Sequence, residues 1–265
     1  MMERWADLTG DDIAARAGDA VVLLPLAAIE AHGPHLPVGT DARIADGLLD
    51  ATAALVDASI DVLRLPILWL GVSPEHAGHG GTLSQPASSW IETVLTVLGG
   101  LAAQGVRKVV LFATHGGNIA PSRTAAMEAR HRTGMLVVAV HWQEFGWPVA
   151  LEQASSSGLP SSRDARRDVH GGWVETSIMQ AIDATAVAKT PPGPAHRSPP
   201  AKALFPEGPL HWGWHARDLG GGGYIGAPDQ ADPDTGRMII DHVAERFAAL
   251  LAELAHAQWD GAQTS

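Results

Sequence analysis

The chain has no cysteine, and only one tyrosine and four phenylalanines in 265 residues. Without cysteine there are no disulfides, no thiolate zinc sites and no cysteine nucleophile, so any metal must be held by histidine nitrogens and carboxylate oxygens. Basic residues are also scarce. Eighteen Lys plus Arg face 29 Asp plus Glu, a formal charge of -11, which argues against nucleic acid as a partner because phosphate backbones are bound by excess positive charge. No early apolar run is long enough to cross a bilayer, and residues 1–20 are acidic with no apolar signal core. No membrane partner is therefore expected, and a cytoplasmic location is. At this length, with 46% hydrophobic and 18% charged residues, one globular domain spanning 1–265 is expected.

Strand-like and helix-like patterns alternate through the first two thirds of the chain. Val21 to Leu26, Asp61 to Leu70, Val106 to Ala113 and Met135 to Val140 read as strands. Ala42 to Val56, capped by Thr40 or Asp41, Ser88 to Gln104, stopped by Gly105, and Ala120 to Arg132 read as helices. The alternation predicts an α/β fold, a three-layer α/β/α sandwich around a mainly parallel sheet. Lys189 to Gly236 is rich in Pro and Gly and has no period; its Trp212, Trp214 and Tyr224 mark a functional loop or an oligomer contact. Arg237 to His256 reads as a last amphipathic helix, with Ile240, Val243, Phe247, Leu250, Leu251 and Leu254 on its apolar side.

Three motifs stand out against this frame. Glu30-Ala31-His32-Gly33-Pro34-His35-Leu36-Pro37-Val38-Gly39-Thr40-Asp41 follows the first strand-like run. A carboxylate and an imidazole two residues apart in extended chain share a face, and Asp41 can return to them across a short turn. A Glu buried there needs a cation, an Arg partner or a helix N-terminus. Thr114-His115-Gly116-Gly117-Asn118 lies between a strand and a helix, where glycines let a ligand approach the backbone closely. Asp168-Val169-His170-Gly171-Gly172-Trp173-Val174-Glu175-Thr176-Ser177 leads into the helical stretch Ile178 to Ile182. Taken alone, Glu175 could be a first-turn carboxylate that favours the helix dipole, and His170 a loop residue. Because Glu30, His32 and His115 all follow strand-like runs, they are expected at one edge of the sheet, beyond the carboxyl ends where ligands bind in such folds.

Together the motifs resemble those of the creatininase family of metal-dependent amidohydrolases, which also includes formamide deformylases and peptidases of mycofactocin-type maturation. The resemblance runs from about Val21 to Ile182. It implies that Glu30, His32, Asp41 and His115 are metal ligands, that His170 is the catalytic proton donor, and that Glu175 lies close to the metals. It also implies two divalent ions per chain, zinc, manganese or iron, with Asp41 bridging and a hydroxide between them attacking an amide carbonyl. One ion would be held by Glu30, Asp41 and His115, the other by His32, Asp41 and Glu175. The stretch from Gly71 to Ser84 resembles the family's substrate-side loop, with Ser73 facing the substrate. Gly116 and Gly117 stand where creatininase itself has a Tyr-Glu pair whose Glu binds a metal. That departure weakens creatinine as the substrate, is closer to the deformylase and peptidase branches, and leaves Glu175 as the nearest replacement ligand.

The expected partner is therefore a small amide, cyclic amide or formamide, with trimming of a short precursor peptide as the alternative. A non-catalytic metal- or ligand-binding protein is a reading of another class, and the complete residue set argues against it. Gly116, Gly117, Trp142 and Trp173 are expected on the substrate side; core filling and subunit contacts account for most of the tryptophans, and one or two of Trp142, Trp147 and Trp173 could form an aromatic wall. His76 and His79 are expected to line the pocket or bond to the backbone. The Gly-rich run Gly221 to Gly226 follows no buried strand and is not read as a dinucleotide site. The serines at 155–157 and 161–162 have no nucleophile-elbow pattern. The resemblance further implies a homo-oligomer, with a hexamer as the expected form.

Overall fold

The computed structural model describes residues 2–146, 168–201, 203–204, 206, 210, 212–259 and 261; Trp147 and the serines at 155–157 and 161–162 lie outside them. Five strands, β1 (Met2–Arg4), β2 (Val21–Leu26), β3 (Val62–Arg64), β4 (Lys108–Ala113) and β5 (Leu136–His141), form one parallel sheet in the order β1-β3-β2-β4-β5. β2 and β4 pair from Val21↔Lys108 to Leu26↔Ala113. Among the described residues seven α-helices accompany them: α1 (Gly10–Arg16), α2 (Thr40–Leu55), α3 (Ala87–Ala103), α4 (Ile119–Thr133), α5 (Trp173–Asp183), α6 (Ala216–Leu219) and α7 (Pro233–His256).

Successive side chains of a strand point to opposite faces, and both central strands are apolar on each. Val21, Leu23, Val110 and Phe112 pack with Ile44 and Leu48 of α2, Ile178 of α5 and Phe247 of α7. Val22, Leu24, Val109 and Leu111 pack with Ile13 of α1, Trp90 and Leu98 of α3 and Ala125 of α4. The result is the expected three-layer α/β/α sandwich. After β2 the chain crosses by α2 on one face to β3; after β4 it crosses by α4 on the other face to β5. The two crossovers leave in opposite directions, so a crevice opens beyond the carboxyl ends of β2 and β4.

Some boundaries differ from the sequence reading. The strand expected over Asp61 to Leu70 is limited to Val62–Arg64, because Pro66 has no N–H to continue the ladder; pairing resumes as a single bridge from Leu26 to Leu68. Neither Thr40 nor Asp41 caps α2. Gly39 occupies the cap position, Thr40 Oγ1 donates to the Pro37 carbonyl, and the Asp41 side chain is left free to point into the crevice. β1 and α1 were not anticipated. α7 starts earlier than the apolar spacing indicates, at Pro233, with Asp232 accepting from Thr235 N as its cap.

Candidate metal centre

Two strand ends and two helix starts deliver the charged side chains to this crevice. Beyond β2 the chain turns at Gly33, whose φ of 76° lies in the left-handed region that glycine adopts readily. The turn directs His35 Nε2 to the Gly171 carbonyl at 2.9 Å and to Thr176 Oγ1 at 3.1 Å, which staples the first motif to the third. Asp41 returns in the first turn of α2, β4 delivers His115, and His170 and Glu175 flank the start of α5. All the residues expected to hold or serve metal therefore converge, although they come from three distant parts of the sequence.

Three histidines share one arrangement. His32 Nδ1 lies 3.0 Å from the Glu30 carbonyl, His115 Nε2 2.8 Å from that of Val72, and His170 Nε2 2.6 Å from that of Ala31. A carbonyl only accepts, so each of these nitrogens donates, and the other ring nitrogen turns inward in the orientation of a metal-ligating imidazole. Inward, His115 Nδ1 is 3.1 Å from Glu30 Oε1 and 3.5 Å from Asp41 Oδ2. His32 Nε2 is 3.2 Å from Asp41 Oδ1 and 3.8 Å from Glu175 Oε2. His170 Nδ1 is 3.5 Å from Glu30 Oε1, and its ring is packed between those of His32 and His76, with centroids at 4.2 and 3.9 Å.

Among the described residues four groups of candidate ligand atoms lie within 4.8 Å of one another: Glu30 with Asp41 and His115, His32 with Asp41 and Glu175, Glu30 with His32 and His170, and Glu30 with Glu75 and His76; the first two are the sets expected for the two ions. Asp41 belongs to both. Glu30 Oε1 and Oε2, His32 Nε2 and Asp41 Oδ2 are buried with no hydrogen-bond partner. Buried polar atoms in that condition are costly, and a cation among them would satisfy all four. The all-nitrogen-and-oxygen donor set fits zinc, manganese or iron, so the residues fit a pair of divalent ions.

The charges respond to this crowding. Burial opposes a charge on His32, yet Asp41, Glu175 and Glu30 outweigh it and raise its pKa to about 10. His115 is likewise raised against burial by Glu30, Asp41 and Glu75. Burial and the Glu30 charge push Asp41 up to about 6, whereas His115, His76 and His170 hold Glu30 well below the usual carboxylate range in spite of its burial. Burial and the neighbouring His32 lower His170 to about 4.

The remaining expected residues are divided. Gly116 and Gly117 form a partly exposed turn before α4. Ser73 is fully buried behind His115, its Oγ 3.2 Å from Nε2, and supports that ring instead of facing open space. Trp142 and Trp173, expected as a substrate-side wall, are core residues 1% and 2% exposed in the layer of α2, α5 and α7; their apolar area is buried against the sheet. The aromatic groups that do meet site residues come from the long irregular segment: Trp214 is edge-on to His76 at 6.5 Å, and Tyr224 edge-on to His35 at 5.5 Å. Glu75 was missed. Its Oε1 lies 3.5 Å from His115 Nε2, and with Glu30 and His76 it makes another cluster of potential ligand atoms. A Glu-His pair right after Ser73-Pro74 was the available signal, obscured because the stretch has no periodicity.

Comparison with known proteins agrees with this geometry. The sequence profile of the family described as creatininase, creatinine amidohydrolase, matches residues 6–251. The chain belongs to the creatininase family. It is accordingly a hydrolase of amide carbon–nitrogen bonds. Among relatives, the mycofactocin precursor peptide peptidase of Mycobacterium ulcerans (strain Agy99) is 29% identical over 236 residues, 87% of this chain and 84% of that protein. The creatinine amidohydrolase of Pseudomonas putida is 26% identical over 267 residues, 93% of this chain and 95% of that protein. The solved structure titled "Creatininase Mn" superposes with a TM-score of 0.77 at 22% identity, covering 96% of this chain and 99% of its own. Another creatininase structure is titled as a Zn-Zn form.

Proposed function

We propose that this creatininase-family member hydrolyses a small amide, such as a cyclic amide or a formamide, at a centre of two divalent ions. Glu30, Asp41 and His115 would hold one ion; His32, Asp41 and Glu175 would hold the other, with Asp41 common to both. The observation that carries the reading is the pair of ligand sets sharing one aspartate, with four buried atoms that have no hydrogen-bond partner. Such a pair, when bound, acidifies water and polarises a carbonyl oxygen. His170, its Nε2 fixed on the Ala31 carbonyl, presents Nδ1 as the nitrogen that takes up a proton and passes it to the departing amide nitrogen. Glu75, partly open at the edge of the cluster, offers an acceptor to a substrate N–H.

Trimming of a short precursor peptide is the second reading. It is favoured by the relatives named as mycofactocin precursor peptide peptidases. We further infer a single hydrolase domain over 1–265 in a cytoplasmic homo-oligomer, expected to be hexameric; no helix among the described residues is long and apolar enough to cross a membrane. Val38, Trp69 and Leu83 are exposed apolar side chains, and the pairings Glu30 N to Val38 O, Leu83 N to Ile29 O and Ala27 N to Leu68 O gather them on the rim, where a neighbouring copy would cover them. The deciding experiment measures metal content of the purified chain together with turnover of a panel of lactams, formamides and short peptides after loading with Zn²⁺ or Mn²⁺. Turnover of peptides alone would transfer the assignment to the second reading, and fewer than two ions per chain under saturating metal would refute the binuclear centre.

A further inference from the structure

Asp168 is a buried carboxylate that belongs to neither ligand set. Both its oxygens are already engaged by backbone amides: Oδ1 accepts from Trp173 N at 2.8 Å and from Ala227 N at 3.3 Å, and Oδ2 accepts from Val174 N at 2.9 Å. No Lys or Arg pairs with it among the described residues, so these amides and the N-terminal end of α5 are what favours its charge, while burial pushes its pKa the other way, to about 7. The side chain is wedged so tightly that a Cβ on either Gly172 or Gly226 would run into it.

What this wedge joins is the piece of chain that carries His170 and Glu175. Beside Asp168, residues 169 and 170 pair with Ile225: Val169 N and His170 N reach the Ile225 carbonyl at 2.9 and 3.1 Å, and Ile225 N reaches the His170 carbonyl at 2.7 Å. One residue further, Gly171 N donates to Glu175 Oε2 at 2.6 Å. The amide of Ala227 thus anchors the far segment, and those of Trp173 and Val174 fix where α5 begins. Since Glu175 is the third residue of α5, the start of the helix sets where its carboxylate falls relative to His32 and Asp41. We propose that Asp168 is a positioning residue for the metal centre: it clamps the start of α5 to the 225–227 segment and thereby holds Glu175 and His170 in register with the ligands of β2 and β4.

This inference rests on the two-ion reading and can fail separately from it. Glu30, Asp41 and His115 lie on other elements, so loosening the clamp should weaken one ion and spare the other. In Asp168→Asn one oxygen becomes an amide that cannot accept, which leaves an α5 amide unpaired; Asp168→Ser, shorter but still a capping residue, is the second variant. Each is loaded with Zn²⁺, dialysed and measured for metal per folded chain. The expected result is two ions in the unmodified protein, close to one in both variants, and a kcat at least tenfold lower with KM nearly unchanged. Two ions and unaltered kcat in a variant that merely melts at lower temperature would make Asp168 a stability residue and overturn the proposal, and so would loss of both ions together. Fewer than two ions in the unmodified protein would instead count against the binuclear centre itself.

Discussion

At the scale of single residues, the centre depends on which nitrogen of each histidine is committed to a carbonyl. Asp41 faces both His32 and His115, so Asp41→Asn should lower occupancy at both ion positions, whereas His32→Ala should mainly empty one; elemental analysis of the purified variants tests this, and full metal content in Asp41→Asn would refute the shared ligand. His170 is in neither of the two sets, and His170→Asn should keep both ions while losing about 10²- to 10⁴-fold in kcat. That loss should shrink for substrates whose leaving group needs no proton. At the end of β5, burial and the neighbouring His115 lower His141 to about 3 from an ordinary 6.5. The unfolded chain takes up a proton at this residue below pH 6.5 and the folded chain does not, so its contribution to stability is complete above 6.5 and is lost as pH falls toward 3. His141→Asn, which retains an acceptor for the Glu144 amide in the following turn, should flatten part of that acid limb in thermal melts recorded between pH 7 and 5.

At the scale of elements, the long helix α7 closes the layer that positions α2 and α5, the two helices whose first turns carry Asp41 and Glu175. Its Phe247 stacks on Phe112 of β4 with centroids 4.7 Å apart and is fully buried. Phe247→Ala should cost about 3 to 5 kcal/mol, the usual range for emptying an aromatic site in a core, seen as a lower midpoint in urea with little change in slope. The composition of the irregular segment before α7 allowed two roles, functional loop or oligomer contact, and the segment brings two of its rings to the site. Tyr224 is buried and donates its hydroxyl to the Gly193 carbonyl at 2.8 Å, and Trp214 Nε1 reaches the Pro206 carbonyl at 3.4 Å. These rings are drawn toward the site histidines; they do not form an exposed aromatic patch.

At the scale of the whole molecule, ligands delivered by two strand ends and two helix starts make metal binding a link between layers. An ion pair that binds only the folded chain stabilises it by about 2.7 kcal/mol for each ion at a hundred times its dissociation constant. Chelation should therefore lower the melting temperature, and Zn²⁺ or Mn²⁺ should restore it; no shift on chelation of a metal-loaded sample would sink the centre. For assembly, sedimentation of the unmodified protein at micromolar concentration should give a species several times the 27.7 kDa chain, and a fully active monomer would exclude the oligomer.

The alternation of strands and helices, and with it the layered parallel sheet, could be read in the sequence because apolar periodicity is local: Val21 to Leu26 and Val109 to Ala113 are apolar at every position, as strands buried on both faces must be. The Glu-x-His and His-Gly-Gly motifs were legible for the same reason, each lying within a few residues of a strand end. What the sequence could not contain was distance between segments. The place of Glu175 beside His32 and Asp41 was expected only through the family resemblance, and that Glu75 reaches His115 and Asp168 ties the start of α5 to Ala227 depends on chain segments brought together from far apart. The two tryptophans misjudged as a pocket wall show the same limit: proximity in sequence to a site motif says nothing about which face of a helix turns inward. Trp142 and Trp173 went to the core because the sheet and α7 offered apolar surface there, a choice made by packing between layers and not by their immediate neighbours.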